Sequence, residues 1–441
     1  MRRALVLAVV ASAFASTAQA KPVTKTFTYG PVSVDGYAVK QTNTANIPRP
    51  EGAGFITHMA ADVVDVHTGK QVPINRIMLH HILFLNLGDG TKDVGLGGAF
   101  YGDGEERAKL DLPPGYGYPV SAGDRWAMVW MLMNHRLKAD SVYIRYRITW
   151  DTDPALKPVV PVGFDASHLR QGLVYDVPGG GKPGSLDLRT MTRPSLVTGR
   201  IVAGLGHVHG GAKDLVLSEP ACNNRVIYRS TPTWGLASHP FYHVRPVLHE
   251  PGPINMSRFT SEQGIPITAN EPLTLTSRYD AVRPHTRVMG LMVIYVAPDP
   301  SVTDPCGPLP TDVKVLRTKT KGRANPVPFT VPLTGLDSNG KAVTIAKPPG
   351  PFSVFDGDAN VVVDNFAFGT PNLVVPQGST VTWTFDGDVK HDVTLANGPF
   401  GFSSDNLRNG GTFSETLKRK GTYKLFCSLH PVQMTQVIKV R

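Results

Sequence analysis

The feature that most constrains the fold is a short loop near the C-terminus that carries three different metal-binding side chains. This loop reads FCSLHPVQM and contains Cys427, His430 and Met434, while His391 precedes it in a Lys-His-Asp segment. A thiolate, two imidazoles and a thioether suit copper, because Cu(I) favours sulfur and Cu(II) favours imidazole. The pattern therefore predicts a mononuclear electron-transfer copper site in which one loop supplies three ligands and a distant strand supplies the fourth.

Strand-like segments surround this loop. They are β-branched and aromatic runs separated by Gly and Asp turns, at 373–375, 380–385, 422–426 and 436–440. Residues 355–441 resemble the cupredoxin (plastocyanin-like) family, whose motif of a His followed by Cys-His-Met matches His391, Cys427, His430 and Met434 one by one. The resemblance implies a Greek-key β-sandwich that holds a type 1 copper.

The N-terminus has the pattern of a secretory signal. Arg2 and Arg3 form a charged region, residues 4–15 are largely apolar, and residues 18–20 form an A-x-A-like cleavage signal. We therefore expect residues 1–20 to be removed and the mature protein to be periplasmic or secreted. No later segment approaches the ~18 to 20 uninterrupted apolar residues of a spanning helix, so we expect no membrane span.

The distribution of charge argues against a nucleic-acid partner. The formal net charge of +10 is spread thinly along 441 residues, whereas phosphate binding needs a concentrated basic face. The length exceeds that of a single usual domain, which is roughly 150 residues, and suggests three packing units.

The three cysteines divide into a copper ligand and a pair. Because Cys427 is assigned to copper, Cys222 and Cys306 remain as an even pair in a chain that we expect to be exported. We predict a disulfide between them. The alternative is two separate buried thiols.

The region between the signal and the cupredoxin segment is rich in Pro and Gly, and its apolar segments are short. Few of them have the length or the 3.6-residue period of a helix. We therefore predict an all-β protein with two β-sandwich domains followed by the cupredoxin sandwich. The predicted divisions are a signal peptide at 1–20, sandwich domains at 21–165 and 166–310, a linker at 311–354 and the cupredoxin domain at 355–441.

The histidines give a more specific indication of what the central region does. His207 and His209 are two residues apart, so a β-strand would direct both imidazoles toward one ion. The adjacent His80 and His81 would point to opposite faces and need a local bend to converge. The remaining central histidines are interpreted as hydrogen-bonded polar groups of half-buried strands: His58, His67, His168, His239, His243 and His249.

The order of these histidines is similar to that in peptidylglycine and dopamine monooxygenases, in which two β-sandwich domains hold two separated coppers. The resemblance implies one copper on His80, His81 and His135, and another on His207, His209 and Met289. In that second set, His285 is a rival ligand to Met289. The monooxygenase pattern thus adds two expected copper ions to the type 1 copper.

Several short sequence motifs between about residues 27 and 298 resemble those of the stress-up-regulated Nod19-like family, whose activity is poorly defined. The matching segments are Val34 to Tyr37, Leu79 to His81, His207 to Gly211 and Arg283 to Gly290. This resemblance supports the fold and the metal ligands rather than a particular reaction.

Two functions follow from the sequence. In the first, the protein is a copper oxidoreductase, in which the cupredoxin exchanges electrons with an upstream copper domain that activates oxygen or another small oxidant. In the second, it is a non-catalytic copper binder or electron carrier whose sandwich domains dock a partner. The sequence identifies neither the substrate nor the redox partner protein, and it assigns no catalytic residue.

Overall fold

The computed structural model describes residues 21–88, 96–168, 170–317 and 330–441. The predicted signal peptide at 1–20 and residues 318–329 of the predicted linker lie outside the described residues. The protein is all-β, as the sequence predicts. In the described parts of the chain, helical structure consists of the 3-10 turns Leu96–Gly98, Gln171–Leu173, Pro220–Cys222 and Pro240–His243.

Two sheets form the first sandwich. One sheet has the strands Val23–Val34, Asp140–Asp151, Gly54–Asp65, Tyr116–Val120 and Lys157–Pro158 in spatial order, with Leu110–Asp111 paired beside Gly54–Asp65. The other has Val39–Ala45, Trp126–Asn134, Ile77–Asn86 and Ala99–Gly104. Alternate residues from Val142 to Trp150 point into the shared core, because side chains of a strand alternate between faces.

Two further sheets form the second sandwich. The first contains Val160–Asp165, Gly290–Pro298, Gly199–Val208, Arg258–Ile267 and Lys314–Leu316 in spatial order. The second contains Leu186–Pro194, Pro272–Asp280, Ala212–Glu219 and Arg225–Ser230. Two small ladders join Tyr175–Val177 to His285–Val288 and Pro232–Thr233 to Asn255–Met256.

The two upstream sandwiches share a layer. Along the strand Gly290–Pro298, Ile294 and Val296 pack in the core of the second sandwich. Val293 and Tyr295 point the other way and join the core of the first. Burial on both faces explains why this strand is a continuous apolar run in the sequence, and it brings the ends of strands from both sandwiches close together.

Strand pairing bears on where one domain ends and the next begins. Val160–Asp165 pairs with Gly290–Pro298, and Lys314–Leu316 pairs with Arg258–Ile267. Both outer strands thus belong to the second sandwich. We therefore propose that this sandwich starts near residue 160 rather than 166 and extends into the segment expected to be a linker.

The C-terminal sandwich has the strands that the sequence predicts around the metal-binding loop. One sheet contains Ser353–Val354, Asn372–Val375, Thr435–Val440, Gly421–Phe426 and Thr394–Asn397 in spatial order. The other contains Ala367–Phe368, Ala359–Asp364, Thr380–Phe385 and Thr412–Thr416. Before this domain, a hairpin pairs Thr334–Leu336 with Ala342–Thr344.

Two further expectations concern the cysteines and the membrane. A disulfide joins Cys222 to Cys306, which confirms the predicted pair, and Cys427 is a buried free thiol. None of the helices in the described parts of the chain has the length and apolar character needed to cross a bilayer.

Candidate copper centres

Three of the predicted C-terminal ligands meet at one end of the third sandwich. Cys427 directly follows the strand Gly421–Phe426, and its Sγ lies 3.8 Å from His391 Nδ1 and 3.6 Å from His430 Nδ1. The two nitrogens are 3.1 Å apart. Ligand atoms about 2.0 to 2.3 Å from one tetrahedral ion lie roughly 3 to 4 Å from each other. The sulfur and both nitrogens therefore fit one copper ion.

The fourth predicted ligand, Met434, belongs to the same loop. The Cys427 N–H donates to the Met434 carbonyl at 3.1 Å, and the Met434 N–H donates to the His430 carbonyl at 3.0 Å. The Met434 side chain is buried in the core that also contains Cys427. These contacts close the loop on itself and keep Met434 beside the site, and we propose that its thioether would serve as the fourth ligand.

Asp392 forms hydrogen bonds with Cys427 and with residues next to the metal-binding site. Its backbone N–H donates to Cys427 Sγ at 3.4 Å. Its carboxylate accepts from the Ser428 N–H at 3.0 Å, the Ser428 hydroxyl at 2.6 Å and the Thr394 hydroxyl at 2.6 Å. These bonds fix the start of the metal-binding loop relative to His391, which precedes Asp392 in the chain.

Burial prepares the imidazoles of this site for a metal. Burial lowers the pKa of His430 to about 4, with a smaller contribution from His391, and burial also lowers the pKa of His391. Both rings are therefore neutral at pH 7 and present a free nitrogen lone pair. Burial raises the pKa of the Cys427 thiol, so we expect thiolate formation to accompany metal binding.

His80 and His81 lie in the first sandwich, on a strand that has the local bend needed to bring both imidazoles together. The pairing of Ile77–Asn86 with Trp126–Asn134 shifts register between Leu79 and His81, which is a β-bulge at His80. The bulge brings the His80 and His81 ring centroids to 5.3 Å.

His207 and His209 lie together at the end of the strand Gly199–Val208, with ring centroids 5.2 Å apart. His207 Nδ1 is 2.8 Å from Glu106 Oε1, and His209 Nδ1–H donates to the Arg287 carbonyl at 3.0 Å. The Nε2 atoms of both rings are buried and have no hydrogen-bond partner among the described residues. Metal-binding histidines typically donate their other ring N–H in this way.

The two upstream groups of histidines form one cluster. His80 has its ring centroid 5.1 Å from that of His209 and 4.7 Å from that of His249. This arrangement differs from the two separated sites that the monooxygenase resemblance implies. The physical reason is the shared layer between the sandwiches, which places the end of Gly199–Val208 against the strand that carries His80.

The remaining expected ligands lie around this cluster. His135 Nδ1–H donates to the Pro246 carbonyl at 3.0 Å, and its ring shares a small cavity with His249. Met289 is buried and lines two larger cavities, each of which His81 also lines. Its rival, His285, has Nδ1 2.6 Å from Oε2 of Glu250, the residue that follows His249.

Sequence reasoning missed three residues of the cluster. His249, interpreted above as a polar group of a strand, lies in a loop with Nε2 against Glu105 Oε1. Glu105 Oε1 is also 2.5 Å from His80 Nδ1, and the next residue, Glu106, contacts His207. The signal in the sequence is a pair of acidic residues, Glu105 and Glu106, followed far downstream by the pair His249 and Glu250.

Gly104 permits the close approach of these groups. A Cβ at this position would lie 2.6 Å from Glu106 Oε2 and 2.7 Å from His207 Cε1. Any larger residue would therefore displace the carboxylate or the imidazole.

The cupredoxin domain docks onto both upstream sandwiches. The Arg287 guanidinium donates to the Ser404 carbonyl at 2.9 Å and to Asn406 Oδ1 at 3.1 Å. Asp176 accepts from the Arg287 N–H at 2.9 Å and from the Ser403 N–H at 2.8 Å. On the first sandwich, the Val39 N–H donates to the Leu429 carbonyl in the metal-binding loop.

A cavity of about 790 Å³ lies at this interface. It is lined by His430 of the C-terminal site and by His81, His207 and Met289 of the upstream cluster. The exposed edge of the C-terminal site thus faces the upstream histidines across one cavity.

Comparison with known proteins identifies the C-terminal domain. Residues 356–441 match the family described as copper binding proteins, plastocyanin/azurin family. Amicyanin-alpha from Methylorubrum extorquens is 33% identical over 86 residues, which are 19% of this chain and 71% of that protein. Amicyanin from Paracoccus versutus is 25% identical over 114 residues, which are 25% of this chain and 86% of that protein.

Among solved structures, a purple cupredoxin from Nitrosopumilus maritimus is 30% identical, with a TM-score of 0.18, and the match covers 19% of this chain and 100% of that one. The sequence matches agree with the thiolate-imidazole geometry around Cys427, which is that of a copper-binding, electron-transfer domain. Through this C-terminal domain, the chain belongs to the plastocyanin/azurin family of copper-binding proteins.

Proposed function

We propose that this protein is an exported copper redox protein in which the cupredoxin domain exchanges electrons with a copper centre held by the upstream histidines. The observation that carries this proposal is the interdomain cavity, which His430 lines together with His81 and His207. Cys427, His391 and His430 would hold one copper and the upstream histidines the other, and copper at both centres would supply one-electron redox chemistry.

A continuous path of covalent bonds and hydrogen bonds connects the two centres and supports electron exchange between them. The backbone of His391 pairs with that of Leu407 through two hydrogen bonds of 2.8 Å. The neighbouring Asn406 accepts from the Arg287 guanidinium at 3.1 Å, and the Arg287 carbonyl accepts from His209 Nδ1–H at 3.0 Å. Arg287 therefore contacts a neighbour of one centre with its side chain and a histidine of the other with its backbone.

The interdomain cavity also offers room for a small substrate. It is large enough to admit dioxygen or another small oxidant, which would receive electrons from the upstream centre beside the lining histidines. Secretion is supported by the Cys222–Cys306 disulfide, since such bonds persist in oxidising compartments.

Reoxidation of the cupredoxin copper tests this proposal. The copper-loaded protein is reduced without oxygen and then mixed with dioxygen, and the return of the visible Cys427-to-copper band is followed. We expect the His207→Ala/His209→Ala variant to keep this band when oxidised but to regain it at least ten times more slowly than wild type. His67→Ala, which replaces an exposed histidine of a turn, is the control and should behave as wild type.

Equal rates in all three proteins would contradict intramolecular exchange and favour the second candidate function, an electron carrier that docks a redox partner. One observation favours that function. Phe366 is 49% exposed and its ring packs 4.8 Å from that of His430. It thus forms an apolar surface beside the copper ligand, on which a partner protein would dock.

A further inference from the structure

We propose that His249 and Glu105 complete, together with His80, a metal site that adjoins the His207–His209 pair, so that the upstream histidines form one binuclear copper centre. This inference rests on the proposed function in taking copper as the upstream metal. It adds two ligands that no motif indicates, and it replaces two separate mononuclear sites with one.

The first support is the convergence of three ligand atoms. One nitrogen each of His80 and His249 and one oxygen of Glu105 all lie within 4.8 Å of one another. His249 Nε2 lies against Glu105 Oε1, yet in the part of the chain that the structure describes neither ring nitrogen of His249 has a partner with hydrogen-bond geometry. Both nitrogens are buried. A buried imidazole whose nitrogens make no hydrogen bond has a lone pair available for an ion.

The spacing of the rings is the second support. In the type 1 site, the centroids of the two ligand imidazoles, His391 and His430, are 4.8 Å apart. The His80–His249 distance is 4.7 Å and the His80–His209 distance is 5.1 Å. The upstream rings are therefore spaced like the ligand pair of the cupredoxin site within the same chain.

The third support is a single turn that serves both groups of histidines. Glu105 and Glu106 are consecutive, and they contact His80 and His207 respectively. The Gly252 N–H also donates to Glu105 Oε2 at 3.0 Å, which holds this carboxylate beside the segment that carries His249. Glu105 and Glu106 thus connect the two groups of histidines through one short backbone segment.

Burial of the carboxylates is the fourth support. Glu105 is 7% exposed and Glu106 is 1% exposed, and Glu106 Oε2 is buried with no hydrogen-bond partner within the described ranges of the chain. Buried carboxylates are strongly disfavoured unless they are paired or coordinate a metal. Two divalent ions bound by these groups would supply the missing positive charge, and copper binds such nitrogen and oxygen sites most tightly among the divalent first-row metals.

Counting copper tests the ligand assignment. The purified protein is loaded with Cu(II), excess metal is removed, and copper per chain is measured alongside the visible Cys427 band and the far-ultraviolet circular dichroism. We expect three coppers in wild type and two in His249→Ala, with the visible band and the circular dichroism unchanged. Glu105→Gln preserves the shape of the side chain, and we expect it to weaken binding of the same copper at least tenfold. His243→Ala removes an exposed histidine from the same segment and should retain all three.

Electron paramagnetic resonance tests whether the two ions adjoin. Two neighbouring Cu(II) ions couple, so we expect the quantified Cu(II) signal of wild type to fall below its copper content, and the signal of His249→Ala to account for all its copper. Three fully uncoupled signals in wild type would overturn the binuclear centre. Full copper content in both His249→Ala and Glu105→Gln would overturn the ligand assignment and leave the proposed function intact. One copper in wild type would refute both proposals.

Discussion

Arg287→Ala removes one of the side chains that hold the cupredoxin domain against the second sandwich. The variant loses two hydrogen bonds from a charged donor, to the Ser404 carbonyl at 2.9 Å and to Asn406 Oδ1 at 3.1 Å. Such bonds contribute about 1.5 to 3 kcal/mol each, and the half-buried position of Arg287 favours the lower value. We therefore expect docking to weaken by about 3 kcal/mol, or roughly 100-fold in the docking equilibrium.

The backbone contacts of residue 287 should survive this substitution. Its N–H still donates to Asp176, and its carbonyl still accepts from His209. Copper content and the visible band should therefore match wild type. Urea unfolding followed by loss of the visible band should show the lower stability, because docking stabilises the folded cupredoxin domain.

Two variants make this test discriminating. Arg200→Ala breaks a partly exposed ion pair with Asp299, which should cost at most about 1 kcal/mol. Arg287→Lys retains the charge but loses the planar two-donor group and should lie between Arg287→Ala and wild type. If Arg287→Ala destabilises the protein no more than Arg200→Ala does, the guanidinium does not hold the interface.

Further predictions concern the ligands, the disulfide and pH. Cys427→Ser should abolish the visible band, whereas Met434→Leu should keep the band and change the reduction potential measured by redox titration. Denatured, unreduced, metal-free protein should contain one free thiol, and replacing both Cys222 and Cys306 by Ser should lower the unfolding free energy by about 4 kcal/mol, given their separation of 84 residues. Burial lowers the pKa of His135 from 6.5 to about 4, so the unfolded state binds more protons between these pH values and stability falls as pH falls. In metal-free protein, lowering the pH through this range should reduce the unfolding free energy of His135→Gln by about 3 kcal/mol less than that of wild type. Identical pH profiles of the two proteins would contradict this.

Local sequence patterns predicted much of the fold and of the C-terminal site. The strands around Cys427 alternate with clear turn signals, and three ligands lie within one loop, so chain neighbours define most of the site. The bend at His80 was also predictable, since adjacent strand residues otherwise face opposite ways. Each of these inferences depends on residues that are close in sequence.

The rest depends on contacts between distant segments. Glu105, His207 and His249 meet only because a sheet of the second sandwich packs against the first, and no local period encodes that packing. The same contact places His80 beside His209, although the order of the histidines along the chain implied two separate sites. The strand Val160–Asp165 joins the second sandwich for a similar reason, because its partner Gly290–Pro298 is more than a hundred residues away.

The most direct test of the central claim is anaerobic intramolecular electron transfer after flash reduction. A pulse of reductant reduces the type 1 copper in fully oxidised, copper-loaded protein, and the visible band first bleaches. We predict that the band then recovers at a first-order rate that does not depend on protein concentration, as the electron moves to the upstream centre. Absence of recovery, or a rate proportional to protein concentration, would contradict electron exchange between the two centres of one chain.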